Sequence, residues 1–352
     1  MARDDDASTG ADLVAHRCRK GDRTASSASG RPWSSGSETE IEYAQQRLFG
    51  CGQYSSHRFE SGLLCDGSKP MMRVSNPYLD ANTIPIDRPD SIEYAALVSR
   101  MRSELAADGC AVVQSILTPE GVTALVTEAD AVAPHAHRSS SRTNAYFSQD
   151  DEALPKGHPV RRFYDRSIAF VAADRLVAGG PLRGIYDTVG FDGFIRDCLQ
   201  ADPFHRYADP LADVIINSAG AGPGFPWHFD TNDYTVTLAI QVAEQGGEFE
   251  YAPNVRTADD EHFDAVTHVL DGTSDRVRTL ILQPGDLQIF LGRHSLHRVT
   301  PLGGTRPRYV GIFSYVDQPD MVATPERCRQ LYGKVMPIHY ERAGRRGDVL
   351  LD

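Results

Sequence analysis

Between residues 92 and 107 the segment IEYAALVSRMRSELAA sets Ala96, Leu97, Met101 and Leu105 at helical spacing, and Gly109 supplies a stop. The short apolar run CAVVQSIL (110–117) reads as a strand. Thr118-Pro119-Glu120 then offers an N-cap with proline at the first helical position, opening a second helix to about Ala133. Residues 134–165 are polar and turn-rich, and 181–201 look helical again. From 213 the texture changes. DVIINSAG, the stretch around WHFD, YTVTLAIQVA, GEFEYAPNV, AVTHVL, RVRTLILQ, DLQIFL, SLHRVT and RYVGIFSYV are short β-branched or aromatic segments divided by Gly, Pro and Asp turns. Roughly eight strands at this spacing predict a sandwich or barrel rather than βαβ units. Helices first and strands after give an α+β chain with one all-β core.

Composition sharpens the boundaries. Residues 1–75, typified by TASSASGRPWSSGSETE, are too poor in aliphatic side chains to offset their ordering entropy. They are expected to form a disordered extension, Trp33 and Cys51 included. A single domain is expected over 76–340, with a helical part at 90–205 and a barrel at 206–318, leaving 341–352 as a tail. A chain of 352 residues that is 41% hydrophobic can build a sizeable core. Its net charge of −12 argues against sequence-independent binding to nucleic acid or an anionic membrane. The six cysteines contain no C-x-x-C pair and read as free thiols of a reducing compartment. No apolar run approaches the ~20 residues of a membrane span, and the first residues carry no apolar signal core. A soluble cytoplasmic protein acting on a small molecule is expected. No Gly-rich phosphate loop, G-x-S-x-G or Walker pattern is present.

One candidate for chemistry is a His and an acid two apart, the spacing of two metal ligands on one strand face. With 12 His and 48 acidic residues in 352, chance gives 12 × 48/352, about 1.6 such pairs. There are three: His228/Asp230, His262/Asp264 and His339/Glu341. Metal ligands need rigid support. His339/Glu341 lies near the C-terminus with no strand after it and reads as a surface pair. His262/Asp264 sits in TADDEHFDAV, a run of acids that reads as a solvated loop. His228/Asp230 is followed by a strong strand, a two-glycine turn, another strand, and later a second His region. Two imidazoles and a carboxylate on one face of a metal leave the opposite face open, the facial triad of non-haem Fe(II) oxygenases. His294 and His297 both could supply the third ligand, but on a strand they point to opposite faces. His297 is favoured, because the basic residues after RVTPLGG suit the far carboxylate of a dicarboxylate co-substrate.

HFD (228–230), GGEF (246–249), PGDLQIF (284–290) and HRVTPLGGTRPRYV (297–310), in that order, resemble the Fe(II)/2-oxoglutarate-dependent oxygenase superfamily. DGCAVVQSILTPEGVTALVTEAD (108–130) is similar to its N-terminal strand and helix, so the likeness spans about 105–316. The resemblance implies a double-stranded β-helix, a jelly-roll or cupin-like barrel, with N-terminal helices packed outside. More narrowly, WHFDTNDYTVTL with GGEFEY resembles a bacterial branch acting on free amino acids that includes hydroxylases and halogenases. In its chlorinating members Gly or Ala replaces the carboxylate and frees a position for chloride; Asp230 is present here, which implies hydroxylation or a related oxidation.

Carried over residue by residue, the resemblance implies that His228, Asp230 and His297 bind Fe(II). It implies that an Arg anchors the far carboxylate of 2-oxoglutarate, either Arg308, which shares its facing with Val310 and Ile312, or Arg306, which precedes Pro307. The tyrosine that often helps bind this co-substrate is not obvious, and Asn217 occupies its region. The implied reaction consumes O2 and 2-oxoglutarate, releases succinate and CO2, and hydroxylates an unactivated C–H bond of a small polar metabolite, such as a free amino acid or derivative. Outside the strands, Arg142, Asn144 and Arg161 are candidates to grip a substrate carboxylate. Trp227 and Phe229 alternate with His228 and are expected to be packing residues. Two other readings remain open: a non-catalytic binding barrel with a relic site, and a cupin-type metalloenzyme that does not use 2-oxoglutarate.

Overall fold

The computed structural model describes residues 76–342. Trp33, Cys51, the expected extension and the expected tail beyond residue 342 lie outside the described residues. Helix α1 (Ile92–Asp108) is capped by the Ser91 side chain and ends at a left-handed Gly109; α2 (Pro119–Val132) is capped by Thr118. The 181–201 stretch is two helices, α3 (Pro181–Tyr186) and α4 (Phe191–Leu199). Three further helices are α5 (Phe263–Leu270), α6 (Pro325–Tyr332) and α7 (Pro337–Glu341).

The strands of three residues or more are β1 (Cys110–Val113), β2 (His137–Thr143), β3 (Tyr164–Val171), β4 (Val214–Ala219), β5 (Phe225–His228) and β6 (Thr235–Gln241). They continue with β7 (Phe249–Ala252), β8 (Arg278–Leu280), β9 (Leu287–Phe290), β10 (Leu296–Val299) and β11 (Arg308–Phe313). Seven of them form one sheet in the order β1-β9-β6-β11-β4-β3-β2, and four form another, β8-β7-β10-β5; every pairing is antiparallel. This is the double-stranded β-helix with its N-terminal helices outside.

Alternation along the strands sorts residues between two environments. Val236, Leu238 and Ile240 of β6, Leu287 and Ile289 of β9, and Val214 and Ile216 of β4 pack with Leu105, Leu125 and Phe194 of the helices. Burying each fully contributes about 1.5–3 kcal/mol. The intervening residues, Thr235 and Thr237, Gln288 and Phe290, Ile215 and Asn217, line an interior chamber instead. The smaller sheet is sorted likewise: Trp227, Ala252 and Leu296 pack with Val266 and Val269 of α5, while His228, Phe249 and His297 face the chamber. Trp227 and Phe229 are indeed packing residues.

Three expectations are corrected. AVTHVL is not a strand but part of α5, because Phe263, Val266, Val269 and Leu270 recur at helical spacing and give the smaller sheet its outer cover. HRSSSRT is not a loop but β2, an edge strand whose full length pairs with β3, so polarity reflects its exposed position. His339 is not on the surface; it is fully buried. Its Nδ1 accepts from the Met336 backbone N–H at 2.9 Å and its Nε2–H donates to Asp209 at 3.1 Å. Asp209, also fully buried, accepts from the backbone N–H of Leu211 and of Ala323. This network ties the C-terminal helices to the barrel.

Asp209→Ala would strand the buried Leu211 N–H and His339 Nε2–H and the half-buried Ala323 N–H, the buried ones costing roughly 1–3 kcal/mol each. Urea unfolding should therefore show at least ~2 kcal/mol of lost stability; a loss within ~0.5 kcal/mol would mean the network does not hold the C-terminal segment.

Candidate active site

The chamber has a volume of about 230 Å³ and lies between the inner faces of the two sheets. His228 ends β5 and His297 lies on β10, directly opposite it in the register. Directly opposed residues on neighbouring antiparallel strands point to the same face, and the two imidazole centroids are 4.2 Å apart. Asp230 follows two residues after His228, its backbone N–H donating to the Gly292 carbonyl at 3.0 Å. Its Oδ1 is 3.4 Å from His297 Nε2 and 4.0 Å from His228 Nε2. One ligand atom from each of the three lies within 4.8 Å of the others.

Each donor is oriented from behind. His228 Nδ1–H donates to the Pro226 carbonyl at 2.7 Å and His297 Nδ1–H to the Ser295 carbonyl at 3.0 Å, leaving both Nε2 lone pairs toward the common point. The Thr235 hydroxyl donates to Asp230 Oδ2 at 2.7 Å, which leaves Oδ1 for the same point. Burial, and then the adjacent His297 ring, push the His228 imidazole down to about 3, so it stays a neutral donor. Burial opposes ionisation of Asp230, but His297, His228 and the Thr235 hydroxyl outweigh it and hold the carboxyl well below the usual range. Two imidazoles and one carboxylate on one face fit a divalent transition metal with open positions. A second cluster, Asp209, Cys328 and His339, also lies within ligand reach, but the Asp209 and His339 atoms are already engaged in the buried network described above.

The remaining sequence candidates separate cleanly. Arg308 and Asn217 line the chamber, and Asn217 donates its amide to the Ala169 carbonyl at 3.3 Å. Burial pushes the Arg308 guanidinium down to about 10, with no acid contributing. Arg306 instead is exposed and bonds the carbonyls of Val242 and Ala243, away from the chamber. The GGEF turn makes room on this side. A Cβ at Gly246, whose φ is +66°, would sit 1.9 Å from the Pro301 carbonyl, and one at Gly247 would lie 3.4 Å from the Arg308 side chain.

Arg142, Asn144 and Arg161 are not brought into the chamber. Arg142 is on the exposed face of the β2 edge. Asn144 spends its side chain on the loop, accepting from the Tyr146 and Ser148 N–H groups and donating to the Val160 carbonyl. Arg161 is tied to Asp150 and to the Leu154 carbonyl. His294 and the His262/Asp264 pair lie outside the ligand cluster; the His262 ring is paired with Asp260 at 3.4 Å.

A family model described as Halogenase D matches residues 94–329. The chain belongs to the halogenase D family. No curated protein matches it. Among solved structures it is similar to SnoN, a non-heme alpha ketoglutarate dependent epimerase from nogalamycin biosynthesis, at 14% identity over 63% of this chain and 82% of that one, with a TM-score of 0.46. AviO1 from Streptomyces viridochromogenes Tue57 is 15% identical over 65% and 97%, TM-score 0.44. A Pseudomonas putida prolyl-4-hydroxylase is 16% identical over 62% and 97%, TM-score 0.38.

In this member of the halogenase D family the structure adds residues that sequence reasoning missed. Arg166 on β3 is only 5% exposed and lines the chamber. Its Nε and one terminal nitrogen are buried without a hydrogen-bond partner. Phe147 and Phe225 cover its guanidinium at 4.8 and 5.8 Å. The available signal was parity, since Arg166 alternates in phase with the buried Ile168 and Phe170. Thr235 and Gly292 were also missed. A Cβ on Gly292 would fall 2.0 Å from Asp230 Oδ2, so the carboxylate occupies space that only glycine leaves open.

Gly292→Ala is therefore expected to displace the carboxylate and weaken Mn(II) or Fe(II) binding at least ~10-fold, the scale of effects from residues behind metal ligands. In an Asp230→Gly background the same change should cost no further affinity. Metal-binding isotherms of the four proteins check this; additive losses would mean that Gly292 acts through folding alone.

Proposed function

We propose that the chain is an Fe(II)- and 2-oxoglutarate-dependent oxygenase that hydroxylates a C–H bond of a small polar metabolite, a free amino acid or derivative. What carries the reading is the convergence of His228, Asp230 and His297 in a chamber that also holds the unpaired Arg308. The two Nε2 atoms and Asp230 Oδ1 would hold the iron. Arg308 would pair with the far carboxylate of 2-oxoglutarate, since the planar guanidinium suits a carboxylate bidentately. Asn217 and Gln288 line the same chamber, with the Asn217 amide donating to the Ala169 carbonyl and the Gln288 amide held between Thr237 and Cys110. When bound, iron and 2-oxoglutarate supply the oxidising equivalents from O2, with succinate and CO2 as co-products.

The protein's own share is positioning and exclusion of water. Pro226, Ser295 and Thr235 fix the three ligands. Phe249 and Phe290 crowd His297, with centroids 5.5 and 4.9 Å away, and keep that side of the centre apolar. The chemistry that iron and 2-oxoglutarate would supply asks no general base of the protein. Although the family is named for halogenation, a halide needs the coordination position that Asp230 fills, which favours hydroxylation here.

With a panel of free amino acids, at least one should raise succinate formation from 2-oxoglutarate several-fold. Asp230→Ala should abolish the stimulated turnover and Asp264→Ala should leave it near wild type. An inactive Asp264→Ala beside an active Asp230→Ala would overturn the assignment of the pair; no stimulation by any amino acid would discard the amino-acid reading.

A further inference from the structure

The charge inventory of the chamber is unbalanced in a way that constrains the substrate. Resting on the oxygenase reading, a divalent metal together with Asp230 leaves one positive charge, and Arg308 adds a second. The two carboxylates of 2-oxoglutarate cancel these, so the metal and co-substrate half of the chamber is neutral when filled. Arg166 remains. It carries a full charge, is more than nine-tenths buried, and has two nitrogens without a partner. Burial opposes its charge, and Arg327 adds to the opposition; Asp230, the nearby acid that favours it, is committed to the metal centre.

Among the described residues that line the chamber, Asp230 is the one carboxylate. A substrate ammonium group therefore meets no acidic partner there. The Arg327 guanidinium lies 5.3 Å from the Phe147 ring centroid, as that of Arg166 lies 4.8 Å from it, and it donates to Gln330 Oε1 at 3.2 Å. Glu326, at the outer rim beside Arg327, has a side chain 79% exposed and is screened by water. With Phe147 and Phe225 against the guanidinium, recognition falls to its N–H edge, whose fork matches a carboxylate.

We infer that the substrate is a net-anionic acid whose carboxylate is clamped by Arg166, and that basic substrates are rejected by the surplus positive charge of the chamber. An acidic or N-acylated amino acid meets this requirement; a diamino acid does not. Arg166 is thereby a substrate-binding and specificity-determining residue.

The test uses the protein loaded with Mn(II) and saturating 2-oxoglutarate, so that binding is read without turnover and the Arg308 site is already filled. Calorimetric titration with three six-carbon amino acids of like size, L-2-aminoadipate, L-norleucine and L-lysine, varies net charge from negative through neutral to positive. The expected order is aminoadipate tightest and lysine weakest, the extremes at least ~10-fold apart, with the gap narrowing as salt is added. Arg166→Gln should erase the order, and Arg166→Lys, which keeps the charge, should retain its sign. Lysine binding as tightly as aminoadipate, no binding by any of the three, or an order unchanged in Arg166→Gln would each overturn the inference. If 2-oxoglutarate itself fails to bind the Mn(II)-loaded protein, the oxygenase reading falls and this inference with it.

Discussion

The pairing of β5 with β10 sets His228 opposite His297, and the site depends on it. Two imidazoles held by neighbouring antiparallel strands have a separation fixed by the ladder and not by flexible side chains. Once their Nδ1 atoms are committed to the Pro226 and Ser295 carbonyls, the two Nε2 lone pairs have one place to meet. Asp230 reaches that place only because the chain leaves β5 just after His228 and is caught by Gly292, which offers a backbone carbonyl and no side chain. The larger sheet closes the other side of the chamber and brings Thr235, Asn217, Arg308 and Arg166 to it.

Buried polar groups in this protein fall into two kinds, and the contrast separates structure from function. Asp209 and His339 are fully buried and their hydrogen-bonding capacity is met by neighbours, so they hold the C-terminal helices in place. Arg166 is nearly as buried and its capacity is not met. Leaving a charged donor unpaired away from water is costly, and it persists where a ligand completes it. The same reasoning separates Arg308, unpaired in the chamber, from Arg161, which is satisfied by Asp150 and a carbonyl outside it.

Much of the barrel was legible because its strands obey a simple alternation. YTVTLAIQVA, DLQIFL and RYVGIFSYV each present aliphatic residues to the helices and polar or aromatic ones to the chamber, and their parity already joined Arg308 to Val310 and Ile312. Misreadings came where local composition competed with tertiary context. AVTHVL has strand-like β-branched content, yet α5 is helical because the smaller sheet needs an outer cover that only Phe263, Val266 and Val269 on one helix face provide. HRSSSRT looks like a loop, but β3 supplies a ladder for its backbone whatever its side chains. His339 resembled a surface residue because its partner, Asp209, lies 130 positions earlier.

By itself the sequence determined the first two helices, most of the barrel strands after 213, the α+β class, and the ligand residue types at spacings that one strand pair can use. It also separated the first HFD from the second, because only His228/Asp230 is followed by a strand, a two-glycine turn, a distant His and trailing arginines. Local periodicity and turn chemistry act over a few residues, and the chain records them directly. The tertiary structure decided everything that depends on which distant segments meet: that Arg308 and not Arg306 faces the chamber, that Gly292 makes the seat for Asp230, and that Arg166 is left inside without a partner. Those outcomes follow from strand register and closure of the two sheets, which bring residues 60 to 140 positions apart to one point, a distance over which no local pattern in the chain carries information.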